Sequence, residues 1–293
     1  MHNLDENSIT GAVLQRMSDA ADPRFKQIMD SLVRHLHNFS REVGLTEAEW
    51  FTGIRFLTEV GQICDDKRQE FILLSDTLGL SMLVTAQNHR KPAGCTEATV
   101  FGPFHVDLAP EHQLGADIGA GAKGEPCYVS GRVVDDSGAA VPDAKMDIWQ
   151  ADADGFYDVQ YNGLEQHRAR GVIHADSGGR FHFKSVLAEP YPIPADGPVG
   201  RMLEAMKRHP WRPSHLHFMI EAEGCETLVT HVFREGCRYL ESDAVFGVRS
   251  SLIAPWIRHE PGVTPDGSRS TVPFYTLEFD FVLARKASPT RAA

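Results

Sequence analysis

The amino-acid sequence predicts an α+β protein, helical over about its first hundred residues and all-β beyond them. Two observations carry this. Apolar residues recur at three- and four-residue spacing early in the chain. Past Pro92, short segments rich in Val, Ile, Phe and Tyr alternate with clusters of Gly, Asp, Ser and Pro.

The first strong helix follows Pro23, where Phe25, Ile28, Met29, Leu32, Leu36 and Phe39 place one apolar face along the segment. That stripe packs either on its own domain or against a second copy of the chain. A second helix starts at Thr46, whose hydroxyl can cap it while Glu49 closes the box ahead of Trp50, Ile54 and Leu57. Residues 68–84 form a third candidate, with Phe71, Leu74 and Leu78 as apolar surface. Gly79 weakens its middle and marks the close approach of another backbone or of a ligand.

Strands are expected at residues 128–134, 144–150, 180–184, 216–220, 228–233 and 275–283, with turn chemistry at 135–138 and 176–179. Long loops at 158–170 and 192–213 interrupt them, and long ordered loops on a sheet scaffold are where binding groups sit. The Gly/Ala-rich stretch 115–124 reads as an exposed excursion and residues 287–293 as a fraying tail.

With 293 residues, 42% of them hydrophobic, the chain can bury a full core without disulfides. A formal net charge of -11 offers no global field for nucleic acid or an anionic membrane. The N-terminal segment lacks the basic-then-apolar pattern of a secretory signal, and no stretch has the apolar length of a membrane span. The five cysteines, Cys64, Cys95, Cys127, Cys225 and Cys237, are scattered without a CxxC. A soluble cytoplasmic protein with free thiols is the expectation.

The segment 212–220, Arg-Pro-Ser-His-Leu-His-Phe-Met-Ile, carries the most chemistry. In a strand, residues two apart share a face, so His215 and His217 project together while Leu216 and Phe218 turn to the core. Two imidazoles so placed can reach one metal ion; two surface histidines would satisfy the same alternation. Zinc, copper and iron all accept imidazole, and the pair alone does not choose among them. No Cys cluster or HExxH completes a zinc hydrolase site. Among six tyrosines, Tyr157 stands just past a strand candidate and Tyr191 sits between Pro190 and Pro192, where the backbone is stiff. Each taken alone reads as an ordinary loop aromatic.

Together these motifs resemble the intradiol ring-cleaving dioxygenases, most closely those that act on hydroxyquinol, with catechol and chlorocatechol cleavers more distant. The similarity runs from residues 66–76 through Thr99-Val100-Phe101-Gly102-Pro103-Phe104 to the end of the sheet domain. In that family one tyrosine ligand follows Ile-Trp-x-Ala and Gly-Phe-Tyr, matched by residues 148–151 and 155–157. A second lies in a proline-rich loop, at Tyr191, and two histidines lie in Arg-Pro-x-His-x-His, intact from Arg212 to His217. The resemblance implies one Fe(III) per chain, held by Tyr157, Tyr191, His215 and His217. It also implies a helical N-terminal dimerisation region (1–98) followed by a β-sandwich catalytic domain (99–293). The helices would form a homodimer contact and bound a channel for a phospholipid.

The implied reaction takes a small aromatic diol or triol and O2. It opens the ring between two hydroxyl-bearing carbons and yields a dicarboxylate, without flavin or nicotinamide; the sequence has no strand-linked GxGxxG. The resemblance places Arg212 beside the substrate as a fixed cation, assigns the displaced ligand role to Tyr191, and gives His231 a hydrogen-bonding role where catechol cleavers more often carry glutamine. Leu73, Asp76, Val100, Phe101, Gly102 and Phe104 would wall the pocket with Arg212. Asp76 is the argument for benzene-1,2,4-triol over catechol. A carboxylate on an apolar helical face is costly when buried without a partner, and a third substrate hydroxyl supplies one. The alternatives are a catechol or chlorocatechol 1,2-dioxygenase and a non-enzymatic β-sandwich that binds phenols.

Overall fold

The structure is a computed structural model that describes residues 3–65, 68–161, 163–164 and 166–286. The expected fraying tail, 287–293, lies outside the described residues, as do Asp66 and Lys67. The chain divides into two compact units, residues 1–62 and 63–293.

The first unit is helical: α1 (Ile9–Arg16), α2 (Pro23–Val43) and α3 (Glu47–Gln62). Asp22 caps α2 by accepting from the Arg24 and Phe25 amides, with Pro23 in the first turn, and Gly44 closes it at φ +59°. Ahead of α3 the capping box forms as the sequence predicts. Glu49 Oε2 accepts from the Thr46 amide at 2.9 Å, and the Glu49 amide donates to Thr46 Oγ1 at 3.3 Å. The apolar stripe of α2 is open to solvent in the single chain; Leu32 is 46% and Phe25 57% exposed.

The second unit opens with α4 (Glu70–Thr77) and α5 (Leu80–Asn88). The single helix expected over 68–84 is therefore two, because Gly79 sits at φ +76°, which ends one ladder and starts the next. A Cβ at Gly79 would lie 3.5 Å from the Phe246 ring, so the neighbour is a side chain and not the backbone or ligand expected. Then follow β1 (Pro126–Asp135), β2 (Lys145–Trp149), β3 (Arg170–His174), β4 (Arg180–Val186), β5 (Tyr191–Pro192), α6 (Pro198–Ala205), β6 (Trp211–Arg212), β7 (His215–Glu221) and β8 (Leu228–Arg234). β9 (Ile253–Ala254), β10 (Trp256–His259), β11 (Phe274–Glu278) and β12 (Phe281–Leu283) complete the order. The strand expected over 275–283 breaks into β11 and β12, both parallel to β1, and the loop expected over 192–213 contains α6 and β6.

One sheet runs β10-β11-β1-β12 with β4 also paired to β1, the other runs β3-β2-β7-β8-β9, and β5 pairs with β6. The two large sheets share one core, with Val129, Val133, Phe181, Phe183 and Phe281 from the first. Met146, Ile148, Leu216, Phe218 and Ile220 come from the second. Alternation then sends Asp147, Trp149, His215 and His217 to the other face of that second sheet. Register aligns Arg170, Trp149, His217 and His231 as direct cross-strand neighbours over β3, β2, β7 and β8. This row of side chains on one face is the floor of the site. The helix α4 is held through Glu70, which accepts from the Val199 amide of α6 at 3.1 Å and pairs with Arg68 at 2.9 Å.

Candidate active site

The Tyr157 hydroxyl lies 2.8 Å from His217 Nε2 and 3.2 Å from the Tyr191 hydroxyl, and His215 Nε2 lies 3.1 Å from His217 Nε2. All four side chains are buried. Donors bound at about 2 Å to one ion stand about 3 Å from each other, so this spacing suits a shared metal.

Local structure fixes each donor. Tyr191 is opposite Arg212 in the β5-β6 pair, and the close approach of Gly155, at φ +80°, brings the Tyr157 turn against Tyr191. His215 Nδ1 is 2.6 Å from the Pro213 carbonyl, which can only accept, so Nε2 keeps its lone pair for the site. Trp149 stacks on the His217 ring at 4.7 Å, and Phe104 stacks on Tyr157 at 4.5 Å.

His215, His217 and His231 have ring nitrogens within 4.8 Å of one another, so they too form a group that could bind a metal. Both nitrogens of His231 are engaged elsewhere: Nε2 is 2.8 Å from His217 Nδ1, and Nδ1 is 2.5 Å from Thr99 Oγ1. His231 is therefore placed to support His217, and the two tyrosine hydroxyls are the further oxygen atoms that stand within reach of the pair. With His217 Nε2 given to a metal, its Nδ1–H donates to His231, whose own Nδ1–H donates to Thr99.

Electrostatics agree with a cation-binding site. Burial, reinforced by the neighbouring Tyr191 phenol, holds the Tyr157 phenol well above its ordinary range despite Arg212 and Arg170. Burial and then nearby positive charge hold His215, His217 and His231 well below theirs, so all three imidazoles are neutral. Two phenols that can become hard anionic donors and neutral imidazoles are a set that iron accepts, and a bound cation would bring the Tyr157 pKa down again.

Arg212 is buried. Burial alone would weaken its charge, but Asp243, 3.1 Å from Nε, and the Tyr191 phenol raise its pKa, and the guanidinium stays charged. Its Nη1 stands 3.5 Å from the Tyr191 hydroxyl and 3.3 Å from His215 Nε2. Asp243 also accepts from the amides of Val245 and Gly247, so a turn on the far side of the site aims this cation.

Of the expected pocket residues, Phe104 stacks on Tyr157, Arg212 reaches Tyr191 and His215, and Gly102 lies close to His217. A Cβ at Gly102, whose φ is +79°, would come within 3.0 Å of His217 Cε1. Val100 is buried and lies near Gly247, which in turn borders Arg212. Asp76, buried on α4, feels the charges of Arg212 and Asp243; burial raises its pKa although a Ser81 hydrogen bond opposes the rise. Ser81 and Arg212 therefore act on the carboxyl from within the protein. Leu73 is buried three residues before Asp76 on the same helix face. The Phe101 ring packs toward His105 and Trp149 and is 43% exposed.

Sequence reasoning missed Thr99, Asp158, Arg170 and Asp243 as supports. Arg170 donates to Asp158 from Nη2 at 2.7 Å and to the Phe104 carbonyl at 2.8 Å. Burial raises the Asp158 pKa, but hydrogen bonds and charge from Arg170, then His167, more than offset it and leave the carboxyl below its usual range. The thread that could have found this pair is position: Asp158 directly follows Tyr157, and Arg170 ends the loop singled out at 158–170.

Family models of two descriptions match, "Catechol dioxygenase N terminus" over residues 22–96 and "Dioxygenase" over 100–285. The chain is 60% identical over 283 residues to a 6-chlorohydroxyquinol 1,2-dioxygenase of Cupriavidus pinatubonensis, covering 97% of this chain and 99% of that one. It is 51% identical over 280 residues to a hydroxyquinol 1,2-dioxygenase of Nocardioides simplex, covering 95% of each. A solved hydroxyquinol 1,2-dioxygenase from Pseudomonas putida DLL-E4 superposes with a TM-score of 0.89 at 46% identity, over 96% of this chain and 99% of that one.

Proposed function

The chain belongs to the intradiol ring-cleavage dioxygenases, an iron-dependent family, and from that premise we propose that it cleaves benzene-1,2,4-triol with O2 to 3-hydroxy-cis,cis-muconate, the enol form of maleylacetate. The observation that carries this reading is the meeting of two buried phenol oxygens and two imidazole Nε2 atoms in one cluster, linked by contacts of 2.8 to 3.2 Å. Both oxygen atoms enter the product, so no external reductant is consumed.

Tyr157, Tyr191, His215 and His217 would hold one Fe(III) per chain. When bound, that ion supplies a Lewis-acidic centre that draws electron density from a chelated diol and makes the ring the source of electrons for oxygen. Tyr191 would be the ligand suited to leave: its oxygen stands beside Arg212 and, as the phenolate a bound cation would favour, could take a proton from a substrate hydroxyl. Tyr157, buried, stacked on Phe104 and bonded to His217, is suited to stay. Arg212 holds a fixed positive charge at the place where negative charge grows on the ring, and its burial makes that charge count. His231 keeps His217 in the tautomer that presents Nε2.

Leu73, Asp76, Val100, Phe101, Gly102, Phe104 and Arg212 form the substrate wall in this reading, with Asp76 meeting the third hydroxyl. A chlorinated triol is the second reading, favoured by the 60% identity to the relative named for 6-chlorohydroxyquinol. Residues 1–98 would be the helical region and 99–293 the catalytic domain, a division that the two family matches support. The exposed stripe of α2 suits a homodimer contact, with a phospholipid beside it. No helix among the described residues is long and apolar enough to cross a membrane. The scattered free cysteines suit the cytoplasm.

The test is the visible spectrum of the iron-loaded protein, with and without the triol under argon, followed by admission of oxygen and product analysis. A broad tyrosinate-to-iron band that changes with substrate, and a diacid product, are expected. A fully metallated but colourless protein, or a semialdehyde product, would sink the proposal. Turnover of catechol equal to that of both triols would remove the substrate assignment alone.

A further inference from the structure

Resting on the iron-site reading above, the geometry points to Arg170 as a positioning residue that ties the Tyr157 turn to the substrate wall at Phe104. Arg170 is 1% exposed and sits at one end of the cross-strand row, directly opposite Trp149. Its Nε donates to both Asp158 oxygens at 3.1 Å; its Nη2 donates to Asp158 Oδ1 at 2.7 Å and to the Phe104 carbonyl at 2.8 Å. One planar fork therefore holds two separate segments.

Each segment controls a different side of the same phenol. Asp158 directly follows Tyr157 and begins the short 3-10 turn 158–160, so it fixes the backbone from which the phenol extends. Phe104 covers the face of the Tyr157 ring, centroids 4.5 Å apart and planes 25° from parallel. Asp158 also accepts from His167 Nδ1 at 2.8 Å, which ties down the far arm of the loop. The guanidinium thus sets both where the Tyr157 oxygen points and how closely the wall lies over it.

The other end of the row does the matching task for the same strap. His231 meets Thr99 at 2.5 Å, so the segment from Thr99 to Phe104 is anchored at both ends and Gly102 rests over His217 between them. Arg170 touches neither the donor atoms nor the substrate position; it acts through Asp158 and Phe104. Lysine has the charge but not the fork, and cannot hold both acceptors in this geometry.

Arg170→Lys and Asp158→Asn, each made in the full-length iron-loaded protein, test this. Arg170→Lys should shift the tyrosinate-to-iron band, speed iron loss to a chelator about tenfold or more, and raise KM for the triol more than it lowers kcat. Asp158→Asn keeps an acceptor for Arg170 and leaves the Phe104 contact intact. It should move the band and iron retention while KM stays within about twofold. A purely structural ion pair predicts a lower Tm alone. Folded Arg170→Lys protein with unchanged band, iron retention and KM overturns the inference, however far Tm falls. Should Arg170→Lys fail to fold, Asp158→Asn decides, and a wild-type band and iron retention there overturn it. A wild-type protein that binds no iron defeats the site reading itself, a result visible before any variant is made, and the inference falls with it.

Discussion

Trp149 lies flat against His217, ring centroids 4.7 Å apart and planes 17° from parallel, while the Gly102 backbone closes the imidazole from another side. The two are direct cross-strand partners of β2 and β7, so the contact is fixed by register. The ring has little freedom to yield.

Gly102→Ala is therefore expected to disturb iron binding. Its Cβ would meet His217 Cε1 at 3.0 Å, and φ at this position is +79°, which costs a non-glycine residue about 1–2 kcal/mol in its own right. Chelator competition should show iron lost at least about tenfold faster, with the far-ultraviolet circular dichroism unchanged. Wild-type iron retention in this variant would mean that the strap moves freely above His217.

Arg212→Lys keeps a positive charge for Asp243 but gives up the guanidinium that also points at Tyr191 and His215. Transition-state stabilisation by a fixed donor is typically worth on the order of 10²-fold in kcat, and that is the expected loss. Steady-state kinetics on the triol should show it in kcat. A loss confined to KM would assign Arg212 to uniform substrate binding instead.

The readable parts of this protein were those set by local spacing. Residues 215 and 217 face one way because a strand alternates, Leu216 and Phe218 enter the core for the same reason, and the Thr46 to Glu49 box spans a single turn. The supports were not legible, because register joins positions far apart in the chain. Arg212 finds Asp243 31 residues on, Phe104 finds Arg170 66 residues on, and Thr99 finds His231 132 residues on. Periodicity also could not show that one helix would break at Gly79, since apolar residues continue on both sides; only the positive φ reveals it. The tyrosines became candidate ligands only through the family resemblance, for neither has a local pattern that separates it from a loop aromatic.

The α2 stripe gives a prediction about assembly. Leu32 and Phe39 are about half exposed in the single chain, and a carboxylate placed within an apolar subunit contact is strongly unfavourable. If α2 forms the proposed homodimer contact, Leu32→Glu should sediment as a monomer at micromolar concentration where the wild type sediments as a dimer. If the variant and the wild type sediment alike, α2 is not the contact.

Asp76 links specificity to stability. Burial raises its pKa above the ordinary 3.8, although Ser81 and the charge of Arg212 pull the other way. A carboxyl whose folded pKa is raised disfavours the folded state once it must ionise. The cost is absent below the unfolded pKa, grows as pH rises through the window between the two values, and is full above the folded one. Asp76→Asn removes this cost, so the variant should have a higher Tm than wild type at pH 7, and the gap should close as pH falls below about 4. The same change replaces a charged acceptor with a neutral one at the position assigned to the third hydroxyl. The ratio of kcat/KM for the triol over catechol should fall about tenfold, the scale of one hydrogen bond to a charged group. Differential scanning across pH and paired kinetics on the two substrates check both halves. A variant less stable at pH 7 with an unchanged ratio would falsify the view that Asp76 is maintained at a cost in stability for the sake of its substrate.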